Sequence, residues 1–134
     1  MRDIILIALE QEAPSMAKWD NVFFTGVGKV NAALTAAKLI ERHNPRTVWN
    51  FGTAGGIKLD KGLFEMKNFV ERDKGECPPA IEVAKACINQ HVEFKCYKFV
   101  SDSADNGADT DWLENVSKGE PHFIEIFQQV TEGY

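Results

Sequence analysis

Two carboxylates stand at the ends of apolar runs, where side chains of this type can do chemistry. Glu12 closely follows Ile4-Ile5-Leu6-Ile7-Ala8-Leu9, and Asp102 follows Phe94 to Val100 with Ser101 between. A carboxylate held at a strand end can transfer protons as a general acid or base. It can equally serve structure. Glu12 suits the first turn of a helix, where the dipole favours negative charge, and Asp102 with Ser101 suits an N-cap. A third run, Thr47 to Phe51, leads into Gly52-Thr53-Ala54-Gly55-Gly56. Glycines there let the backbone turn sharply and approach a ligand closely, although a plain structural turn has the same composition. Gly26-Val27-Gly28 is a poor dinucleotide fingerprint, because the third glycine and the later acidic partner are not in place. His43, His91 and His122 are scattered and read as surface residues, and Trp112 taken alone reads as core. Cys77, Cys87 and Cys96 fit no zinc spacing. They read as reduced, partly buried thiols of a cytoplasmic protein.

The elements that must position these groups alternate in type. Ile4 to Leu9 is apolar at every position, as in a strand covered on both faces. Val22-Phe23-Phe24 is a second short strand, followed by a turn at Gly26-Val27-Gly28. A helix starts at Lys29, with Val30, Ala33, Leu34, Ala37 and Ile40 recurring at helical spacing. It stops near His43-Asn44-Pro45, since the residue before a proline avoids helix. Thr47 to Phe51, Leu63 to Val70 and Phe94 to Val100 read as further strands. Ala80 to Asn89 reads as a helix with Ile81, Ala84 and Ile88 on one face, after a loop over 71–79. Trp112, Val116, Phe123, Ile124 and Phe127 predict a C-terminal helix broken at Gly119-Glu120-Pro121. Strands alternating with helices predict a single-domain layered α/β/α fold around a largely parallel or mixed twisted sheet.

The length of 134 residues fits one domain, and 44% hydrophobic with 26% charged residues is ordinary for a globular chain. The net charge of −5, with no basic run, argues against a nucleic-acid partner. No stretch approaches the roughly 20 apolar residues of a membrane span, and the apolar start is too short for a cleaved signal. The expectation is a cytoplasmic protein without cofactor or metal. A chain this short buries a modest share of its surface, which favours a homo-oligomer.

Four segments taken together carry a resemblance: Ile7-Ala8-Leu9-Glu10-Gln11-Glu12; Thr25-Gly26-Val27-Gly28-Lys29-Val30-Asn31-Ala32-Ala33; Asn50-Phe51-Gly52-Thr53-Ala54-Gly55-Gly56; and Lys98-Phe99-Val100-Ser101-Asp102-Ser103-Ala104-Asp105 with Trp112 beyond. Each alone is weak, but in this order they resemble the 5′-methylthioadenosine/S-adenosylhomocysteine nucleosidases of the nucleoside phosphorylase superfamily. The resemblance implies hydrolysis of an adenine nucleoside by a dimer. It implies that Glu12 positions and activates the attacking water and that Asp102 protonates the purine at N7, with Ser101 orienting it. Thr53, Ala54 and Gly55 then form the turn beside sugar and nucleophile, Trp112 lines the adenine pocket, and Leu9 lies near the ribose. The chemistry is coherent: cleavage builds positive charge on the sugar and negative charge on the departing base, and two carboxyl groups relieve both.

The chain departs from this family in its middle. About ten residues separate Asp73 from Ala84, where the family has a long segment supplying an aromatic contact to the base and much of the dimer contact; this reads as an internal deletion near 73–80. The family's Met-Glu pair, whose glutamate holds the ribose hydroxyls, falls on Pro78 and Pro79. Glu82, one turn later, is the substitute if the helix has shifted. Two alternatives therefore accompany the hydrolase. One is a purine nucleoside phosphorylase, with Arg2, Arg46 and Arg72 as phosphate candidates. The other is a degenerate relative that binds nucleosides without turnover.

Overall fold

The computed structural model describes residues 3–54, 62–65, 78–100 and 116–132. Five strands, β1 (Ile4–Ile7), β2 (Val22–Phe24), β3 (Thr47–Ala54), β4 (Gly62–Glu65) and β5 (Glu93–Val100), form one sheet in the order β2-β1-β3-β5-β4. The first three and β5 are parallel, and β4 runs antiparallel along the edge beside β5. The expected mixed, mostly parallel sheet is therefore present. Among the described residues three α-helices accompany it: α1 (Lys29–His43), α2 (Pro78–Asn89) and α3 (Glu120–Thr131).

Every residue of β1 is buried, which requires cover on both sheet faces. Alternation divides the core accordingly. Ile5, Ile7, Trp49, Phe51, Tyr97 and Phe99 point to one side and pack with Phe123 of α3. Ile4, Leu6 and Val48 point to the other and pack with Ala32, Ala36, Leu39 and Ile40 of α1 and with Val83 and Cys87 of α2. The result is a three-layer α/β/α arrangement. Gly26 and Gly28, at φ +78° and +105°, make the turn from β2 into α1 in a region that side-chain-bearing residues rarely enter. Asn44 ends α1 in the left-handed conformation (φ +45°), and Pro45 then prevents continuation.

Several helix expectations need correction. The face of α1 on the sheet is Ala32, Ala36, Leu39 and Ile40, whereas Val30 and Leu34 are 71% and 65% exposed. Small alanines let the helix backbone approach the sheet, so the larger apolar residues are rotated outward. On α2 the buried residues are Val83, Ala84 and Cys87, with Ile88 at 70% exposure. This helix begins at Pro78, inside the expected loop. Two prolines are tolerated there because the first-turn N–H groups have no intrahelical partner. For the same reason Pro121 is accommodated in the first turn of α3, which starts at Glu120, within the expected break. Residues 66–70 of the expected fourth strand and 111–115 of the C-terminal helix lie outside the described residues. Cys87 and Cys96 are buried free thiols, and burial pushes Cys87 up to about 12, which keeps it protonated and inert at neutral pH.

Gly119 fixes where α3 starts. A β-carbon there would lie 2.7 Å from Phe99 Cβ and 3.0 Å from Phe123 Cζ, inside contact distance. Gly119→Ala is therefore expected to destabilise the fold by about 1–3 kcal/mol. The effect should appear as a lower urea midpoint with an unchanged slope. A midpoint equal to the parent's would mean that the two phenylalanines move aside freely.

Candidate active site

Because β1, β2, β3 and β5 are parallel, their carboxyl ends share one edge of the sheet. From β1 the chain passes to β2 on one side, and from β3 it passes to β4 and then β5, both on the other. Strand order thus reverses between β1 and β3, and the crevice outside this point is where open α/β sheets bind ligands. Glu12 lies at that point.

The segment after β1 forms two short 3-10 turns, Glu10–Glu12 and Met16–Lys18. Glu12 is 5% exposed. Its Oε2 accepts the Leu9 backbone N–H at 3.0 Å. Its Oε1 accepts the Thr53 backbone N–H at 3.1 Å and the Thr53 hydroxyl at 2.9 Å. Thr53 is the penultimate residue of β3, so one carboxylate ties the end of β1 to the end of β3. Burying a carboxylate is costly unless its charge is satisfied, and three donors supply that here. An ionised carboxylate has about four acceptor positions. Three are filled among the described residues, and within that set the second position on Oε2 can accept a proton from a bound water or hydroxyl. The helix-capping expectation is also met in part, since Glu12 reaches back to Leu9 N–H across one 3-10 turn.

On the opposite face of β3 lies a second polar group. Asn50 donates from Nδ2 to the Leu6 carbonyl at 3.2 Å, and its Oδ1 accepts from Lys98 Nζ at 2.9 Å. Lys98 is 8% exposed and lies across Gly52, where a β-carbon would sit 2.6 Å from Nζ. Gly52 thus belongs to the glycine-rich stretch because a lysine passes over it. A third polar group centres on Asp3, which accepts from Arg46 Nη2 at 3.0 Å and from Trp49 Nε1 at 3.0 Å. Asp3 and Arg46 precede β1 and β3, at the amino edge of the sheet, about 20 Å from Thr53 at roughly 3.3 Å per strand residue.

The structure brings Glu12, Thr53 and the Leu9 backbone together. Ala54 ends β3 in register with Val100 of β5. Glu82 lies on α2, one turn from its start; the side chains of Ala54 and Glu82 are not among those described. Gly55, Ser101, Asp102 and Trp112 lie outside the described residues. Arg46, a phosphate candidate on sequence, is bound to Asp3 at the wrong edge of the sheet for a site at Glu12; Arg2 and Arg72 are outside the described residues. The three histidines are exposed, as expected. Sequence reasoning missed the buried polar group on Lys98 and a carboxylate, Glu120, that is 7% exposed. Its neighbours Gly119 and Pro121 suggested only a break.

These features define a class: an open α/β/α sheet with a buried, donor-held carboxylate at its switch point. Residues 21–65 match the family model described as the phosphorylase superfamily. Solved structures share the fold. A 5′-methylthioadenosine/S-adenosylhomocysteine nucleosidase from Colwellia psychrerythraea 34H, in complex with adenine, superimposes with TM-score 0.68 at 17% identity, over 87% of this chain and 88% of that one. A Helicobacter pylori nucleosidase mutant with 5′-methylthioadenosine in its active site gives TM-score 0.77 at 14% identity, over 99% of each chain. A futalosine hydrolase mutant from Helicobacter pylori gives 0.77 at 14%, over 100% of each chain. None of the curated proteins matches the chain. The chain therefore has the nucleoside phosphorylase fold, in the form that the nucleosidases of these bacteria share. No helix among the described residues is long and apolar enough to cross a membrane.

Proposed function

We propose that this chain is an N-ribosyl hydrolase that releases adenine from 5′-methylthioadenosine or S-adenosylhomocysteine. One observation carries the reading. Glu12 is buried at the switch point of the sheet, is held there by Leu9 and Thr53, and among the described residues keeps one acceptor position on Oε2. Such a group can orient a water and take up its proton as the water adds to the sugar. In this reading Asp102 protonates the leaving adenine, Ser101 orients Asp102, and Trp112 lines the base pocket. Leu9, Thr53, Ala54 and Gly55 border the sugar, and Glu82 takes the ribose hydroxyls.

Hydrolysis is favoured over phosphorolysis by the charge at the site. A buried carboxylate opposes a phosphate anion in the same crevice, and Arg46 is engaged at the far edge. Adenine release is thus expected to proceed at the same rate in phosphate-free buffer as with added phosphate. A strict phosphate requirement would move the protein to the phosphorylase reading. Tight nucleoside binding with no release under either condition would make it a non-catalytic binder. Val30 and Leu34 of α1, with Val27 in the turn just before it, face outward at 65% exposure or more and support a homodimer.

A further inference from the structure

Among the described residues Glu120 is a second buried carboxylate on the side of the sheet that carries Glu12. It is 7% exposed and opens α3, where free backbone N–H groups and the helix dipole favour negative charge. Its Oε2 accepts the Met16 backbone N–H at 2.8 Å, across 104 positions of sequence. Met16 stands four residues beyond Glu12 in the same short segment. Within that segment the backbone bonds are local: Glu12 to Leu9, Ala13 to Glu10 and Trp19 to Met16. Among the described residues its hydrogen bonds to the remainder of the fold, β2 apart, run to two residues. One is Thr53, bonded to Glu12, and the other is Glu120, bonded to Met16. Ala13 and Met16, both fully buried, seat the same segment in the core beside Phe123, and Trp19 packs against Phe127 of α3 at 5.8 Å.

We propose that Glu120 is a positioning residue for the reaction: by holding the Met16 N–H it fixes the 10–18 segment against α3 and so sets the placement of Glu12. The inference rests on the reading that Glu12 engages the attacking water. A carboxylate that must orient a water tolerates little displacement, and an error of about 1 Å in such a group can cost about a hundredfold in rate. Glu12 cannot be secured by Thr53 alone, because those bonds hold its tip while the backbone that carries it belongs to a segment of two short 3-10 turns outside the sheet and the α-helices. Glu120 secures that backbone from the other end, and Gly119 allows α3 to begin close enough to Phe99 for Glu120 to reach it.

The test compares parent, Glu120→Ala, Glu120→Gln, Glu12→Gln and the Glu12→Gln/Glu120→Ala double variant. The readouts are turnover of 5′-methylthioadenosine and amide hydrogen exchange. Glu120→Ala is expected to lower kcat about tenfold to a hundredfold with little change in KM, since Glu12 is misplaced and the pocket is not. Glu120→Gln keeps an oxygen acceptor for Met16 and should restore most of that loss. In the Glu12→Gln background, Glu120→Ala should cost little more, because residues acting through one another are not additive. The Leu9 and Thr53 amides, both bonded to Glu12, should exchange about tenfold faster in Glu120→Ala and at the parent rate in Glu120→Gln. Fully additive losses, an effect confined to KM, or unchanged exchange at Leu9 and Thr53 would overturn the proposal. Full turnover in Glu12→Gln would instead remove the reading of Glu12 on which it rests. Exchange is read whether or not the protein turns over, and Glu120→Gln serves where Glu120→Ala does not fold.

Discussion

Glu12→Gln is expected to lower adenine release by about two to four orders of magnitude, the range associated with losing a general acid or base. Glutamine has nearly the same shape, so the fold should survive. What changes is the charge and the pattern of donors and acceptors. Oε1 of the present carboxylate takes both donors of Thr53, at 2.9 and 3.1 Å. An amide oxygen turned toward Thr53 can keep these bonds. The amide nitrogen must then face Leu9 N–H, which now donates to Oε2, and two donors oppose each other. Leaving a buried donor unsatisfied costs about 1–3 kcal/mol, so the variant should also be measurably less stable. The acceptor position that would receive a water proton is replaced by an N–H, and no carboxylate remains to assist as positive charge grows on the sugar. The checks are initial rates of adenine release under saturating 5′-methylthioadenosine and a urea titration of the same preparation. A variant that is destabilised but turns over at the parent rate would make Glu12 a structural strap between β1 and β3 and nothing more.

That dual character explains how much of the molecule was legible beforehand. The unbroken apolar run of β1 and the alternation of strand and helix signals sufficed for the layered α/β/α fold, because covering a sheet on both faces demands that pattern. Asn44-Pro45 marked the end of α1 correctly for a steric reason that acts locally. The faces of α1 and α2 were misjudged because periodicity finds an apolar stripe without saying which stripe touches the sheet. In α1 the contact went to the alanines, whose small size permits close approach, and the larger Val30 and Leu34 face outward. Pro78 read as loop since proline is excluded from helix interiors, yet it occupies a first turn, where its missing N–H costs nothing.

The site was legible in a different sense. Glu12 was marked by its place after β1 and by family likeness, and both its capping bond and its bonds to Thr53 are present together. The tie to Thr53 spans 41 positions, and no local pattern encodes it. Glu120 shows the same limit more sharply. Its partner is a backbone N–H 104 positions away, and a backbone donor has no sequence signature at all. The Lys98 group was hidden for a related reason, since a lysine becomes a buried residue only when β5 is placed beside β3 and Gly52 leaves room for it.

Asp102→Asn is expected to reduce release of adenine by about two to four orders of magnitude while sparing the fold. The described part of β5 ends at Val100, in register with Ala54 beside Thr53, and Asp102 is the second residue beyond it in sequence. In the proposed reaction a carboxylic acid at that position delivers a proton to N7 of the purine as the bond to the sugar breaks. Asparagine can hydrogen-bond to N7 but has no proton to give up, so the base must leave as an anion. The acid must carry its proton when substrate is bound, which requires burial or neighbours that raise its affinity for protons. The sign of the pH dependence follows: release should fall as pH rises through the acid's titration, and this alkaline limb should be missing from whatever rate the asparagine variant retains. A second substrate separates acid catalysis from mere positioning. A 5-methylthioriboside bearing p-nitrophenolate as leaving group departs without protonation, so Asp102→Asn should cleave it at close to the parent rate. Glu12→Gln, which impairs the water, should be slow on both substrates. Adenine release by Asp102→Asn above about a tenth of the parent rate would remove Asp102 from the acid role. Equal losses on adenine and p-nitrophenolate substrates would assign it to holding the sugar instead.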